Sequence, residues 1–173
     1  LQLINLGLTK KLINGPVSKK SFLNKKFPGI TEFISFKTNT KKYAMLIYNK
    51  KLSVCPLTTH IPLKNVSRYI NKKNISDKIY LIDYFYKKKL GIKPKIAVLG
   101  LNPHCESTNV FNEDEKILKP VIKSLAQKKY KISGPYSADT MFLKKNRSKY
   151  DVILGMYHDQ VLTPIKTLFE YDA

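Results

Sequence analysis

Three histidines are the whole imidazole inventory of this 173-residue chain, and each one follows a short apolar run. They stand in Leu57-Thr58-Thr59-His60-Ile61-Pro62, Gly100-Leu101-Asn102-Pro103-His104 and Gly155-Met156-Tyr157-His158-Asp159-Gln160. The runs before them, residues 52–57, 96–101 and 152–156, have the length and apolar character of buried strands. In a parallel α/β sheet the carboxyl ends of such strands point to one edge, where ligands bind. Three imidazoles meeting there, with coordination positions left open, have the composition of a catalytic metal site rather than a closed structural one. The plainer reading is three isolated surface or core histidines. Their shared placement at strand ends weighs against it.

Several polar residues stand in turn positions near these histidines. Asp159 follows His158 directly, and Asp139 sits in Ser133-Gly134-Pro135-Tyr136-Ser137-Ala138-Asp139-Thr140, read as a Gly-Pro turn leading into a helix. A carboxylate at Asp139 can cap that helix; the functional alternatives are to orient a histidine or to take a proton. Lys166, eight residues past His158, is placed to meet a phosphate as a point charge. Gly15-Pro16-Val17-Ser18-Lys19-Lys20 has the form of a strand, a turn and a helix N-terminus, which can hold an anion. It is not a Walker loop, and no GxGxxG occurs anywhere in the chain, so the Rossmann dinucleotide fingerprint is absent.

The two cysteines have no CxxC spacing and give neither a zinc knuckle nor a disulfide framework. Cys55 lies inside a strand-like run and is expected to be a small core residue. Cys105 follows His104; on an extended segment neighbouring side chains point to opposite sides, which favours His104 alone as the ligand.

The elements that must carry these residues alternate along the chain. Residues 12–14 read as a short strand before Gly15-Pro16, and 18–25 as a helix. Residues 43–48 and 52–57 read as two strands joined by the Asn49-Lys50-Lys51 turn. Helices are expected over 62–70 and 76–90, the second with Ser76 as N-cap, Gly91 as stop and an apolar face of Ile79, Ile82, Phe85 and Tyr86. A buried strand follows at 96–101, then a helix at 113–129 with acidic residues in its first turn and lysines in its last. A shorter helix at 138–145 and a strand at 152–156 complete the pattern, which is that of a layered α/β domain.

The net charge of +20 raises the question of nucleic acid. Of the 32 basic residues only Arg68 and Arg147 are arginine, the residue that reads phosphate and bases in bidentate fashion. The lysines are scattered in doublets and triplets through every segment, as in a chain encoded by an AT-rich genome, and no nucleic-acid partner is expected. A general attraction to phosphorylated small molecules remains. No uncharged apolar run is long enough to cross a bilayer. The opening residues lack the basic flank of a secretory signal, so a cytoplasmic protein is expected. The chain begins at Leu1 and stops at Phe169-Glu170-Tyr171-Asp172-Ala173, and it reads as the middle of a longer protein.

Taken together, Asn14-Gly15-Pro16-Val17-Ser18-Lys19, Thr31-Glu32-Phe33, Thr58-Thr59-His60-Ile61-Pro62-Leu63, Gly100-Leu101-Asn102-Pro103-His104, Gly134-Pro135-Tyr136-Ser137-Ala138-Asp139-Thr140 and Met156-Tyr157-His158-Asp159-Gln160 resemble the 4-hydroxythreonine-4-phosphate dehydrogenase family. The match runs in order over essentially the whole chain. The resemblance implies a layered α/β/α domain with a mixed sheet, of the isocitrate and isopropylmalate dehydrogenase type. It implies that residues 1–22 belong to a first α/β domain, 23–162 to a central metal-binding and dimerisation domain, and 163–173 to the return into the first.

The resemblance further implies His60, His104 and His158 as ligands of one divalent cation (Zn, Mg, Mn or Co), shared between the subunits of a homodimer. Substrate contacts fall on Thr31 and Lys166, and Asp139 and Asp159 are candidates for proton handling or for supporting the ligands. The implied reaction is NAD- or NADP-dependent oxidation of 4-phosphooxy-L-threonine followed by decarboxylation to 3-amino-2-oxopropyl phosphate, a step of pyridoxal phosphate biosynthesis. The sequence departs from the family where Ile30 occupies the position of a substrate-contacting histidine. It departs again where Cys105-Glu106-Ser107-Thr108-Asn109 replaces a glycine-rich continuation. Two other readings stay open: a three-histidine hydrolase using a metal-bound water, and an inactive relative that binds metal or phosphate without turnover.

Overall fold

The computed structural model describes residues 4, 6–9, 11–13, 15, 26–107 and 111–172. The expected anion turn beyond Gly15 and the helix over 18–25 lie outside them, as does the boundary expected at residue 22; Leu12 and Ile13 form no strand. The chain divides into two units, Leu1–Tyr43 and Ala44–Ala173. In the first, helix α1 (Ile30–Lys37) begins after Gly29. The ring of Phe27 packs edge-on against Phe33, with centroids 5.5 Å apart, and lies 5.3 Å from Phe36.

The second unit is a parallel sheet with helices on both faces. Its strands are β1 (Ser53–Pro56), β2 (Lys95–Leu99), β3 (Lys131–Tyr136) and β4 (Val152–Gly155), in the spatial order β1-β4-β2-β3. All their pairings are parallel. Among the described residues the antiparallel component is a single bridge, Ile47 to Val54, which is all that the strand expected over 43–48 amounts to.

Alternate residues of each strand go to opposite faces, and both faces are covered, so the strands read as unbroken apolar runs. Cys55, Ile96, Val98, Val152 and Leu154 join one core cluster; Val54, Ala97, Leu99 and Ile153 join the other. The first face is covered by α3 (Lys72–Phe85) and α4 (Lys119–Gln127), which bury Ile75, Ile79 and Ile82, and Val121, Ile122 and Leu125. The second is covered by α5 (Ala138–Met141) and α7 (His158–Phe169), which bury Met141, Val161 and Ile165. Two further single-turn helices, α2 (Val66–Tyr69) and α6 (Lys144–Arg147), complete the connections.

The start of α3 differs from expectation. Its N-cap is Asn71, whose side chain accepts from the Asn74 amide at 2.9 Å, and Ser76 lies one turn inside. The helix ends, as expected, at Gly91, which takes the left-handed conformation (φ 70°) after a widened turn over Tyr86–Leu90. The Tyr86 hydroxyl then donates to Ser53 Oγ at 2.8 Å, tying the helix end to the start of β1. Asn71→Ala should lower stability by about 1 kcal/mol, read by urea unfolding. Ser76→Ala, by contrast, should change it by less than about 0.5 kcal/mol.

Three elements were not expected: α1, and two in the second unit. The segment read as a Gly-Pro turn is strand β3, and a Cβ at Gly134 (φ 133°) would run into the Val98 carbonyl oxygen, so only glycine fits this bulge. The residues after His158 form α7, a twelve-residue helix with Pro164 inside it. The boundary expected at residue 163 falls within that helix. Among the described residues no helix is long and apolar enough to cross a membrane.

Candidate metal centre

The parallel order brings the ends of β1, β4 and β2 side by side, and each continues into a histidine. Beyond their last paired residues β1 and β4 stay joined: Leu57 N donates to Gly155 O at 2.7 Å and the Thr58 hydroxyl to Met156 O at 2.8 Å. These bonds carry the two chains outward together, so that the rings of His60 and His158 lie with centroids 5.8 Å apart and planes inclined by 41°. Two imidazoles sharing one tetrahedral ion at Zn–N distances of 2.0–2.1 Å have centroids roughly 5 Å apart. The pair is therefore close to the spacing that a common ion requires.

His158 is oriented by its neighbour. Its Nδ1 lies 2.6 Å from Asp159 Oδ1. An Nδ1–H donated to that carboxylate leaves the Nε2 lone pair for a ligand, the usual division of labour in a carboxylate-supported metal histidine.

His104 is held on a different device. Past β2, Leu101 N and Asn102 N donate to Asp114 Oδ1 and Oδ2 at 2.8 and 3.1 Å, and Asn102 Nδ2 donates to Oδ2 at 2.9 Å. Asp114 is fully buried, and a Cβ on Gly100 would stand 2.8 Å from its Oδ1, so the approach needs bare backbone. The chain then turns through two residues in the left-handed region, His104 (φ 56°) and Cys105 (φ 59°). The segment is thus a tight turn and not extended, and alternation along a strand is not what separates the two side chains. His104 is exposed while Cys105 is buried over Gly100. Burial and the Asp114 carboxylate hold the Cys105 thiol above its ordinary range, and burial pushes that of Cys55 up to about 12. Neither is poised as a thiolate.

Asp139 is exposed in the first turn of α5. The Ser137 hydroxyl, then the Thr140 amide and the charge of His104, hold its carboxyl below the usual range. Lys166 is exposed on α7, about 12 Å further along the helix axis than His158. Thr31 is half-buried at the second position of α1, after Ile30.

The donor chemistry fits a borderline divalent ion. Within one chain, however, only His60 and His158 come together. Among the described residues no three side chains from His, Cys, Asp and Glu stand close enough to hold one ion. Two residues that the sequence reading passed over shape this edge. In the sequence Asp114 carries only the signal of a helix-dipole charge. Gln160 is the last residue of the Met156-Tyr157-His158-Asp159-Gln160 segment; its side chain accepts from Met156 N at 2.7 Å and donates to Gly100 O at 2.8 Å.

Known proteins match this chain over most of its length. A family model described as pyridoxal phosphate biosynthetic protein PdxA matches residues 1–173. A 4-hydroxythreonine-4-phosphate dehydrogenase of Sulfurihydrogenibium is 44 % identical over 162 residues, covering 91 % of this chain and 49 % of its own length. A D-threonate 4-phosphate dehydrogenase of Pectobacterium atrosepticum is 36 % identical over 148 residues, covering 85 % and 45 %. A crystal structure of a 4-hydroxythreonine-4-phosphate dehydrogenase from Klebsiella pneumoniae superposes with a TM-score of 0.83 at 33 % identity, over 98 % of this chain and 53 % of that one. The chain spans about half the length of the curated relatives it matches.

Proposed function

The chain belongs to the family of pyridoxal phosphate biosynthetic protein PdxA, and we propose on that footing that the whole protein is a metal-dependent NAD(P) dehydrogenase. Its substrate is 4-phosphooxy-L-threonine, whose secondary alcohol is oxidised; loss of carbon dioxide then gives 3-amino-2-oxopropyl phosphate. The reading places the enzyme in the cytoplasm as a homodimer, with residues 1–22 and 163–173 assigned to one domain and 23–162 to the metal-binding and dimerisation domain. The observation that carries it is the His60–His158 pair at the carboxyl edge, with His104 on the neighbouring strand end.

His60, His104 and His158 would hold the cation, the third ligand reaching the pair across the subunit interface. A divalent ion bound there polarises the oxygen at which oxidation occurs. Asp159 keeps the His158 ring in the ligating orientation through Nδ1. Asp139, exposed in the first turn of α5, is the candidate to accept the hydroxyl proton. Lys166 offers an ammonium to the substrate phosphate, and Thr31 a hydroxyl to the substrate. With Ile30 in place of a polar side chain, Thr31 makes that contact without a neighbouring donor.

The test is nicotinamide reduction by the whole protein. Turnover of 4-phosphooxy-L-threonine in preference to D-threonate 4-phosphate bears out the substrate, and the reverse preference replaces it. Hydrolysis without nicotinamide would mark the three-histidine hydrolase, and metal or phosphate binding without turnover the inactive relative. Lys166→Met should raise the substrate KM by about 10- to 100-fold, the loss of one charge-assisted hydrogen bond, with the nicotinamide KM unchanged. An unchanged substrate KM would return Lys166 to the ordinary solvated lysines.

A further inference from the structure

We propose that the amino-terminal edge of the sheet, opposite the candidate metal centre, is a docking surface for an anionic lipid bilayer. Along the chain the lysines look evenly scattered, but the fold sorts them. A parallel sheet sends every strand-to-helix connection to one edge and every return to the other. The connections at the carboxyl edge (57–71, 100–118, 137 and 156–157) hold three basic and four acidic residues. Those at the amino edge (49–52, 86–94, 128–130 and 142–151) are shorter in total, yet they hold twelve basic residues and one acidic. Lysine supplied by base composition alone would load both edges alike.

Eleven of those twelve are lysines, and all eleven are exposed. The strand starts set them in a row. Ser53 N donates to Asp151 O and Asp151 N to Lys95 O, each at 2.9 Å, and Lys95 is level with Lys131. Three steps between strands make the row roughly 15 Å long. Lys51, Lys149, Lys93 and Lys129 each lie two residues outside it, one to a strand. The acids here are engaged or outnumbered: Asp151 Oδ2 accepts from Lys95 N at 2.7 Å, Asp83 pairs with Lys87 at 2.7 Å, and Asp172 lies beside Asn49. A broad array of point charges suits a plane of anionic headgroups, near which each lysine strengthens binding about fivefold. Ile92, exposed between Gly91 and Lys93, adds an apolar tip for the bilayer to take up. Nucleic acid suits this edge less well. The one arginine of these connections, Arg147, spends its Nη1 on the Phe142 carbonyl at 2.6 Å, and none of their aromatic rings is exposed for bases to stack on.

The experiment is co-sedimentation of the whole protein with vesicles of equal parts phosphatidylglycerol and phosphatidylcholine, and with vesicles of phosphatidylcholine alone. At about 0.1 M salt the mixed vesicles should take up the protein and the neutral ones should not, and about 1 M salt should release it. Changing Lys51→Gln, Lys93→Gln and Lys149→Gln together should weaken uptake about 100-fold. A control with Lys64→Gln, Lys72→Gln and Lys116→Gln removes the same charge from exposed positions at or next to the carboxyl edge. It should weaken uptake less than about threefold, because charges held beyond a Debye length from the headgroups are screened. Equal losses in the two triple variants would make net charge the cause and overturn the proposal, as would an absence of uptake by the mixed vesicles. If single-stranded RNA or inorganic polyphosphate bound through Lys51, Lys93 and Lys149 while the vesicles did not, the surface would be one for a soluble polyanion and the bilayer reading would fall. Should a triple variant not fold by circular dichroism, the single changes carry the comparison, at about fivefold each for the amino edge.

Discussion

His158→Ala in the whole protein is expected to lower metal-dependent turnover by about a thousandfold or more while leaving the fold intact. The two halves of that expectation have separate grounds. His158 opens α7, and a third of its side chain is exposed. Alanine there leaves no core cavity and suits a helix, so stability should shift by less than about 1 kcal/mol. Turnover is another matter. Charge stabilisation by a bound ion and the alignment of reacting groups each contribute several kcal/mol to a barrier, and both need the ion in place. Removing the ion with a chelator should reproduce the loss, and adding back Zn, Co, Mn or Mg should restore the wild type and not the variant. Activity within tenfold of wild type would end the metal reading.

Asp114→Ala should destabilise the second unit by about 3–5 kcal/mol, the largest effect on stability expected of any residue discussed. Its fully buried carboxylate receives Leu101 N, Asn102 N and Asn102 Nδ2. Alanine would leave the two backbone donors without that acceptor, and Asn102 Nδ2 with only its longer bond to Glu113 Oε2 at 3.4 Å, beside a new void. Asp114→Asn, which keeps one acceptor oxygen, should cost about half as much. Urea unfolding gives both values. If Asp114→Ala cost under 1 kcal/mol, solvent would be reaching these donors and the His104 turn would not depend on the carboxylate.

The sequence exposed what periodicity and punctuation record. The runs at Leu52, Ile96 and Val152 are strands because both faces of the sheet are covered, and unbroken apolar residues need that environment. Gly91 marked the end of α3 through the left-handed backbone that favours glycine. Strand β3 was hidden because Gly134-Pro135 carries the composition of a turn; its place in the sheet is fixed by Val98 across the ladder, a neighbour 36 positions away. Helix α7 was hidden by Pro164, and it holds because Val161 and Ile165 are fully buried on either side of that proline.

The site was legible to the extent that histidine is scarce, since three such residues after three strands form a pattern at any fold. Asp114 and Gln160 were not, because nothing local distinguishes a buried anchor from a helix-end charge or a surface amide. Only the arrival of backbone from Gly100 to Asn102 gives them their roles.

The order β1-β4-β2-β3 also bears on how this edge comes into being. A ribosome delivers β1, β2 and β3 before β4 exists. β2 and β3 can pair at once, but β1 has no partner in the sheet until β4 inserts beside it. Until then the stretches bearing His60 and His104 flank a gap one strand wide, about 10 Å across. The missing strand brings His158, along with the Gln160 that closes its upper end. Long-range insertions of this kind are the slow part of folding. Under the metal reading proposed above, ion capture would have to wait for β4 to insert.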